Sequence, residues 1–150
     1  MKNLFDKHEM NETLQRIENL QADSKANWGK MSVDQMLAHC NVAYDMAHTD
    51  KYPKAGGFKK FMLKMFVKNA VVGPKPYARN GRTAPEFMIT DSRDFDAEKS
   101  KLVAHIKKTQ ELGEQHFHQK ESNSFGELSS QEWNMLFSKH LDHHLTQFGV

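Results

Sequence analysis

SSQEWNMLFSKHLDHHLTQFG, residues 129–149, carries both the helical signal and the candidate chemistry of this chain. Ser129 and Glu132 stand at the S-x-x-E spacing of a capping box, which predicts a helix start. Trp133, Leu136, Phe137, Leu141, Leu145 and Phe148 follow in steps of three and four, the helical period. Gly149 is a suitable stop. His140 and His144 lie one turn apart and project from the same face, the geometry in which two imidazoles share one metal ion. His143 sits about 100° round the helix and is the weaker candidate. On a helix surface such a pair is otherwise two ordinary histidines, so a metal reading needs a third ligand from elsewhere.

Working outward, the chain reads as further helices. Residues 6–21 carry a narrow apolar stripe of Met10, Leu14, Ile17 and Leu20, enough to pack one face. Residues 22–30, ADSKANWGK, read as a loop, with Trp28 as a core plug. Ser32 and Gln35 repeat the capping-box spacing, and Val33, Met36, Leu37, Cys40, Ala43, Tyr44 and Ala47 follow at helical steps. His39 lies in this second helix, between its apolar and polar sides. A third long helix is expected over 94–118, with Phe95, Leu102, Val103, Ile106 and Leu112 as its stripe and Asp94, Asp96 and Glu98 suiting its N-terminus. His105 reads as structural, and His116 and His118 as solvated. ESNSFGEL, 121–128, reads as a loop. FMIT at 87–90 is the one doubtful strand, and no run shows a two-residue period of strand length.

Residues 49–92 are an irregular middle, punctuated by Pro53, Gly56, Gly57, Gly73, Pro74, Pro76, Gly81 and Pro85. Within it, 57–70 predicts a short amphipathic helix with Phe58, Phe61, Met62, Met65 and Phe66 on one face and Lys59, Lys60, Lys64 and Lys68 elsewhere. From Lys51 to Arg82 there are nine Lys or Arg and no Asp or Glu, a charge of +9. The remainder, 12 basic against 19 acidic, carries −7. The net +2 hides this asymmetry. The favoured expectation is a crossover helix that buries Phe and Met against the body and keeps its lysines wet. The competing readings are a surface for a membrane or anionic partner, and a field that attracts an anionic substrate.

Composition sets the outer bounds. A chain of 150 residues, 38% apolar and 27% charged, fits one domain over 1–150 with a single core. Ten Phe and nine Met supply large, adaptable core side chains. The lone Cys40 excludes an internal disulfide framework and reads as a core thiol. The N-terminal residues show no apolar signal region, and no stretch approaches the ~20 apolar residues of a membrane span. A cytoplasmic protein without nucleic-acid partners is expected.

Four helices of moderate length in a chain of this size point to an all-α four-helix bundle, with a long crossover containing a short helix between helices 2 and 3. Short links predict antiparallel neighbours for the first and second helices, and for the third and fourth. If the second and fourth helices face each other, His39, His140 and His144 converge and leave a fourth position open, as in catalytic zinc sites. Asp45 and Asp142 are candidate acceptors for the imidazole N–H groups, although Asp142 points about 160° away from His144.

The pattern Trp28, Ser32, Leu37, His39, continued by His140, His144 and Gln147, resembles the DinB/YfiT-like superfamily of metalloenzymes. The stretches at 28–40 and 124–149 are most similar to its DUF1569 group, and the likeness runs the whole length. The resemblance implies an up-down-down-up bundle, often a homodimer. It also implies a divalent metal, zinc or nickel, on His39, His140 and His144, with His143 unbound. Some members are transferases or isomerases that use a low-molecular-weight thiol. A metal ion there would draw the proton from a water or a thiol at neutral pH, which fits a thiol S-transferase or a hydrolase acting on a small, anionic substrate. The reading from another class is a non-catalytic helical module that binds an anionic partner or membrane surface through the basic 51–82 segment. Catalytic residues beyond the three histidines are not assigned by either reading.

Overall fold

The last helix, α6 (Ser130–Gln147), forms as its residues direct. Ser129 Oγ accepts from the Glu132 amide at 3.2 Å, and Glu132 Oε2 accepts from the Ser129 amide at 2.9 Å, so both halves of the capping box are closed. Trp133, Phe137, Leu141 and Leu145 turn inward and are buried. The computed structural model describes residues 2–150. Among them the chain is mostly helical, with α1 (Lys7–Glu18), α2 (Val33–His48), α3 (Gly57–Phe66), α4 (Lys68–Val72), α5 (Phe95–Phe117) and α6, plus a 3-10 turn at Pro85–Phe87 and a two-stranded sheet.

Helix α2 is the centre of the molecule. Every residue from Met36 to Asp45 is buried, so the helix is enclosed all round. It packs against α5 on one side and α6 on another. Helix α1, capped by Asp6 Oδ1 accepting from the Glu9 amide at 2.9 Å, also lies chiefly on α5. The expected pairing of the first two helices is therefore replaced by α5 as the common support, because α1 offers only a narrow stripe. The third and fourth long helices, α5 and α6, do pack together. One apolar cluster joins α1, α2, α5 and α6, including Ile17, Leu37, Ile106 and Phe137. Cys40 is fully buried in it, as expected of a core thiol. Gly113 interrupts α5 with φ 75° and ψ 170°. This backbone region is essentially restricted to glycine, and the break precedes Phe117, which is buried among Phe5, Trp133 and Phe137.

Two further expectations are corrected. Residues 121–128 are not a plain loop: β1 (Lys120–Ser122) pairs antiparallel with β2 (Gly126–Leu128), Glu121 opposite Glu127. Three residues per strand are too few to show alternation in sequence. The turn is held by Ser122 Oγ, which accepts from the Phe125 amide and donates to the Gly126 carbonyl, each at 2.9 Å. FMIT forms no strand; its Phe87 ends the 3-10 turn.

The second correction concerns the amphipathic helix. It is two pieces, α3 and α4, broken at Val67, and its apolar face is not buried. Phe58 is 79% exposed, Phe66 69%, Met65 58% and Phe61 56%. Only Leu63 of α3 packs against the core. Lys60 reaches Glu121 at 2.6 Å and Lys68 reaches Glu132 at 2.7 Å. These anchors hold the Lys60–Leu63 side toward the body and turn the phenylalanines outward. No helix among the described residues is long and apolar enough to cross a membrane.

Candidate metal centre

Packing of α2 on α6 brings His39 to His140 and His144. Their rings lie with centroids 4.8 Å (His39–His140), 4.6 Å (His39–His144) and 4.9 Å (His140–His144) apart. One nitrogen from each falls within 4.8 Å of the others. The His39 and His140 Nε2 atoms are 2.8 Å apart. A tetrahedral ion with metal–nitrogen bonds of about 2.0–2.1 Å requires roughly 3.3 Å between ligand nitrogens. The His39–His140 pair is thus within about half an ångström of that spacing, the three donor nitrogens together lie within 4.8 Å of one another, and a set of three imidazoles fits a divalent borderline ion.

Neighbouring groups aim two of the rings. His39 Nδ1 donates to the Phe87 carbonyl at 2.8 Å. A carbonyl only accepts, so the proton is on Nδ1 and the Nε2 lone pair faces the cluster. His144 Nδ1 donates to Gln147 Oε1 at 2.8 Å, while Gln147 Nε2 donates to the Trp28 carbonyl at 2.6 Å. The Trp28 carbonyl fixes which way the amide points, and the amide fixes the His144 tautomer. Gly29 allows the approach: its φ is 84°, and a Cβ there would meet Gln147 Nε2 at 2.5 Å. Edges of Phe87 and Tyr77 confine His140, at ring distances of 5.8 and 6.3 Å.

All three imidazoles are biased toward the neutral, ligating form. Burial pushes the His39 pKa down. Burial, with His39 and His144 alongside, holds His140 well below the ordinary value. Burial first, then the neighbouring His39, lowers His144 to about 3. His39 Nε2 then accepts from His140 Nε2 at 2.8 Å, so a neutral His140 would bind an ion through Nε2 once its proton sits on Nδ1.

The other candidates fall elsewhere. His143 turns its edge to Trp28 and Tyr77, at 5.8 and 5.7 Å, and is outside the group. Neither carboxylate serves the triad. Asp142 accepts from Arg16 Nη1 at 2.8 Å. Asp45, buried, accepts from Lys101 at 2.7 Å and lies 3.1 Å from His105 Nε2. The real acceptors are a backbone carbonyl and a side-chain amide, which spacing of acidic residues does not reveal. His105 is structural, as expected, in the α2–α5 interface. Trp28 is only half-buried, with the Arg79 guanidinium 4.3 Å over its ring. Burial lowers the His143 pKa, and Arg79 adds to the shift against the opposing Asp142 carboxylate, so a cation stands at the edge of the site.

Lys139, which the sequence reading passed over, is 2% exposed. Its ammonium donates to the carbonyls of Ala70, Gly73 and Lys75 at 2.9, 2.6 and 3.1 Å and sits 4.6 Å over the Tyr77 ring. It fastens the crossover onto α6 one residue before His140. Asp142 and His143 flank it on the polar side of the α6 wheel, so nothing in its spacing distinguishes it from a solvated lysine.

No curated protein and no solved structure matches the chain. Residues 2–149 match the family described as "Protein of unknown function (DUF1569)". With that match spanning nearly its whole length, and the segments around Trp28–Cys40 and the HxxxH helix inside it, the chain belongs to the DUF1569 family.

Proposed function

We propose that this chain is a metal-dependent enzyme whose divalent ion, zinc or nickel, is held by His39, His140 and His144, and that it acts as a thiol S-transferase with a low-molecular-weight thiol. The observation that carries the reading is the convergence of three neutral imidazole nitrogens within 4.8 Å, with His39 and His144 aimed by fixed acceptors. Three protein ligands leave a position for a reacting group, the pattern of catalytic sites. A bound ion supplies the positive charge that stabilises a thiolate at neutral pH.

The chain's own residues supply the rest. Phe87 and Gln147 hold the rings in register. Tyr77 and Phe87 shield the His140 side from water. Arg79, exposed over Trp28, supplies a cation for an anionic group on the thiol or its acceptor. The arrangement of long helices around α2 and α5 suits the up-down-down-up bundle of DinB-like proteins. That resemblance also supports a single-domain, cytoplasmic homodimer as part of this reading.

The test is metal analysis of protein purified without a His-tag, joined to conjugation assays on an electrophile panel with and without chelator. About one divalent ion per chain, lost in His39→Ala and His140→Ala, is expected, with thiol-dependent turnover that chelation abolishes. Turnover that needs the metal but no thiol would assign a hydrolase instead. Absence of metal, or metal indifferent to both substitutions, would sink the reading.

A further inference from the structure

The outward face of α3 has no role in the metal centre. On a helical wheel Phe61, Met65, Phe58, Met62 and Phe66 occupy one continuous arc of about 140°. Their exposures run from 39% at Met62 to 79% at Phe58. Lys59 borders the arc on one side and Lys64 on the other, both exposed. The opposite side, Leu63 and Lys60, is the one fastened to the body. A soluble helix normally buries its apolar stripe; here the stripe is presented and its basic flanks lie beside it.

We infer that α3 is an interfacial docking helix that seats this protein on an anionic lipid surface, with the Phe and Met side chains in the headgroup–acyl boundary and the lysines at the phosphates. Charge selects this occupant. The segment Lys51–Arg82 carries +9 with no acidic residue. The carboxylates that meet its lysines among the described residues are Asp45 (with Lys51), Glu86 (with Lys59), Glu121 (with Lys54 and Lys60) and Glu132 (with Lys68). Lys64, Lys75 and Arg82 have no ion-pair partner among the described residues. A second copy presenting the same face would set these charges against each other. It would also gain little area. The ten-residue helix offers a strip on the order of 15 by 10 Å, whereas a stable interface takes about 800 Å² from each partner. A bilayer has no such size requirement, and its negative surface attracts lysines near it.

The experiment is flotation of the full-length, metal-containing protein with vesicles of phosphatidylcholine alone or phosphatidylcholine with phosphatidylglycerol. Binding to the anionic vesicles only, weakened by high salt, is expected. Phe58→Ser/Phe66→Ser, which leaves the charge untouched, should lower vesicle affinity about tenfold or more. Lys64→Glu, which breaks no ion pair, should weaken binding in the same direction. Circular dichroism and metal content of both variants should match the parent, since Phe58, Phe66 and Lys64 are exposed and outside the core. A Phe58→Trp variant gives a second readout, a blue shift of emission on adding anionic vesicles. Failure to float with anionic vesicles would overturn the inference, as would binding unaffected by the Phe substitutions. A concentration-dependent dimer abolished by Phe58→Ser/Phe66→Ser would assign the face to a second copy. Competition of vesicle binding by an RNA oligonucleotide that the Phe variant still binds would assign the charge to nucleic acid.

Discussion

Gln147 and His144 form a unit three residues apart on α6: the amide oxygen accepts the imidazole Nδ1 proton at 2.8 Å, and the amide nitrogen is spent on the Trp28 carbonyl. The pair links the loop before α2 to the nitrogen of His144 that faces His39 and His140. It is 3% exposed at Gln147, so water does not stand in for a missing partner.

Gln147→Leu should therefore weaken metal affinity by about 10–100-fold, the usual cost of removing an acceptor behind a ligating histidine. Gly29→Ala should produce a similar loss without touching a ligand, because its new Cβ would collide with Gln147 Nε2. Competition against a chromogenic chelator measures both. Unchanged affinity in Gly29→Ala would show that the amide does not orient His144.

Metal should also stabilise the fold. At a free ion concentration of about 100 times Kd, binding adds about 2.7 kcal/mol to the stability of the parent protein. Thermal unfolding with and without chelator should show that increment for the parent and none for His140→Ala. A chelator-insensitive melting temperature in the parent would contradict a ligating triad.

Lys139→Met should destabilise the protein by about 2–3 kcal/mol, since three carbonyls lose a charged donor and only the apolar stem is replaced. The loss should concentrate in the crossover, read as faster proteolysis between residues 68 and 90. Denaturant unfolding gives the first quantity and limited proteolysis the second. A variant as stable as the parent would mean that the crossover is held by other contacts.

Acid sensitivity has a source away from the histidine triad. His48 packs on α5, its Nε2 2.9 Å from Thr109 Oγ1, and burial lowers its pKa from 6.5 to about 4, with His105 and nearby lysines adding to the shift. Between these values the unfolded chain holds more protons than the folded one. Stability due to this group is thus complete above pH 6.5 and is lost as pH falls toward about 4. Chemical denaturation of chelator-treated protein across this window should show the decline, and His48→Gln should flatten it. An equal slope in the variant would exclude His48 as a contributor.

Gly113→Ala should cost about 1–3 kcal/mol through backbone strain alone, because a Cβ there meets no neighbour within 4 Å. Denaturant unfolding measures it. A neutral effect would mean that α5 runs through this point unbroken.

The helices α2, α5 and α6 were legible because capping pairs and apolar steps are local. The triad was legible because HxxxH is local and His39 needed only two helices to meet. The hairpin at 120–128 was not, since its pairing depends on Ser122 and Gly126 closing a turn. The orientation of α3 was misread for a related reason. Its amphipathic pattern states that one face is apolar, whereas the ion pairs of Lys60 and Lys68 with residues far along the chain decide which face turns outward.

From the residues alone come the helical class, the charge asymmetry and the identity of His39, His140 and His144, because period, composition and spacing act over a few residues. Only the folded chain shows what holds those rings: the Phe87 carbonyl, the Gln147 amide anchored on Trp28, and Lys139 clamping the crossover. These contacts join positions 48, 119 and 64 to 69 residues apart. Hydrogen bonds to backbone carbonyls leave no mark on side-chain pattern, so tertiary packing alone could place them.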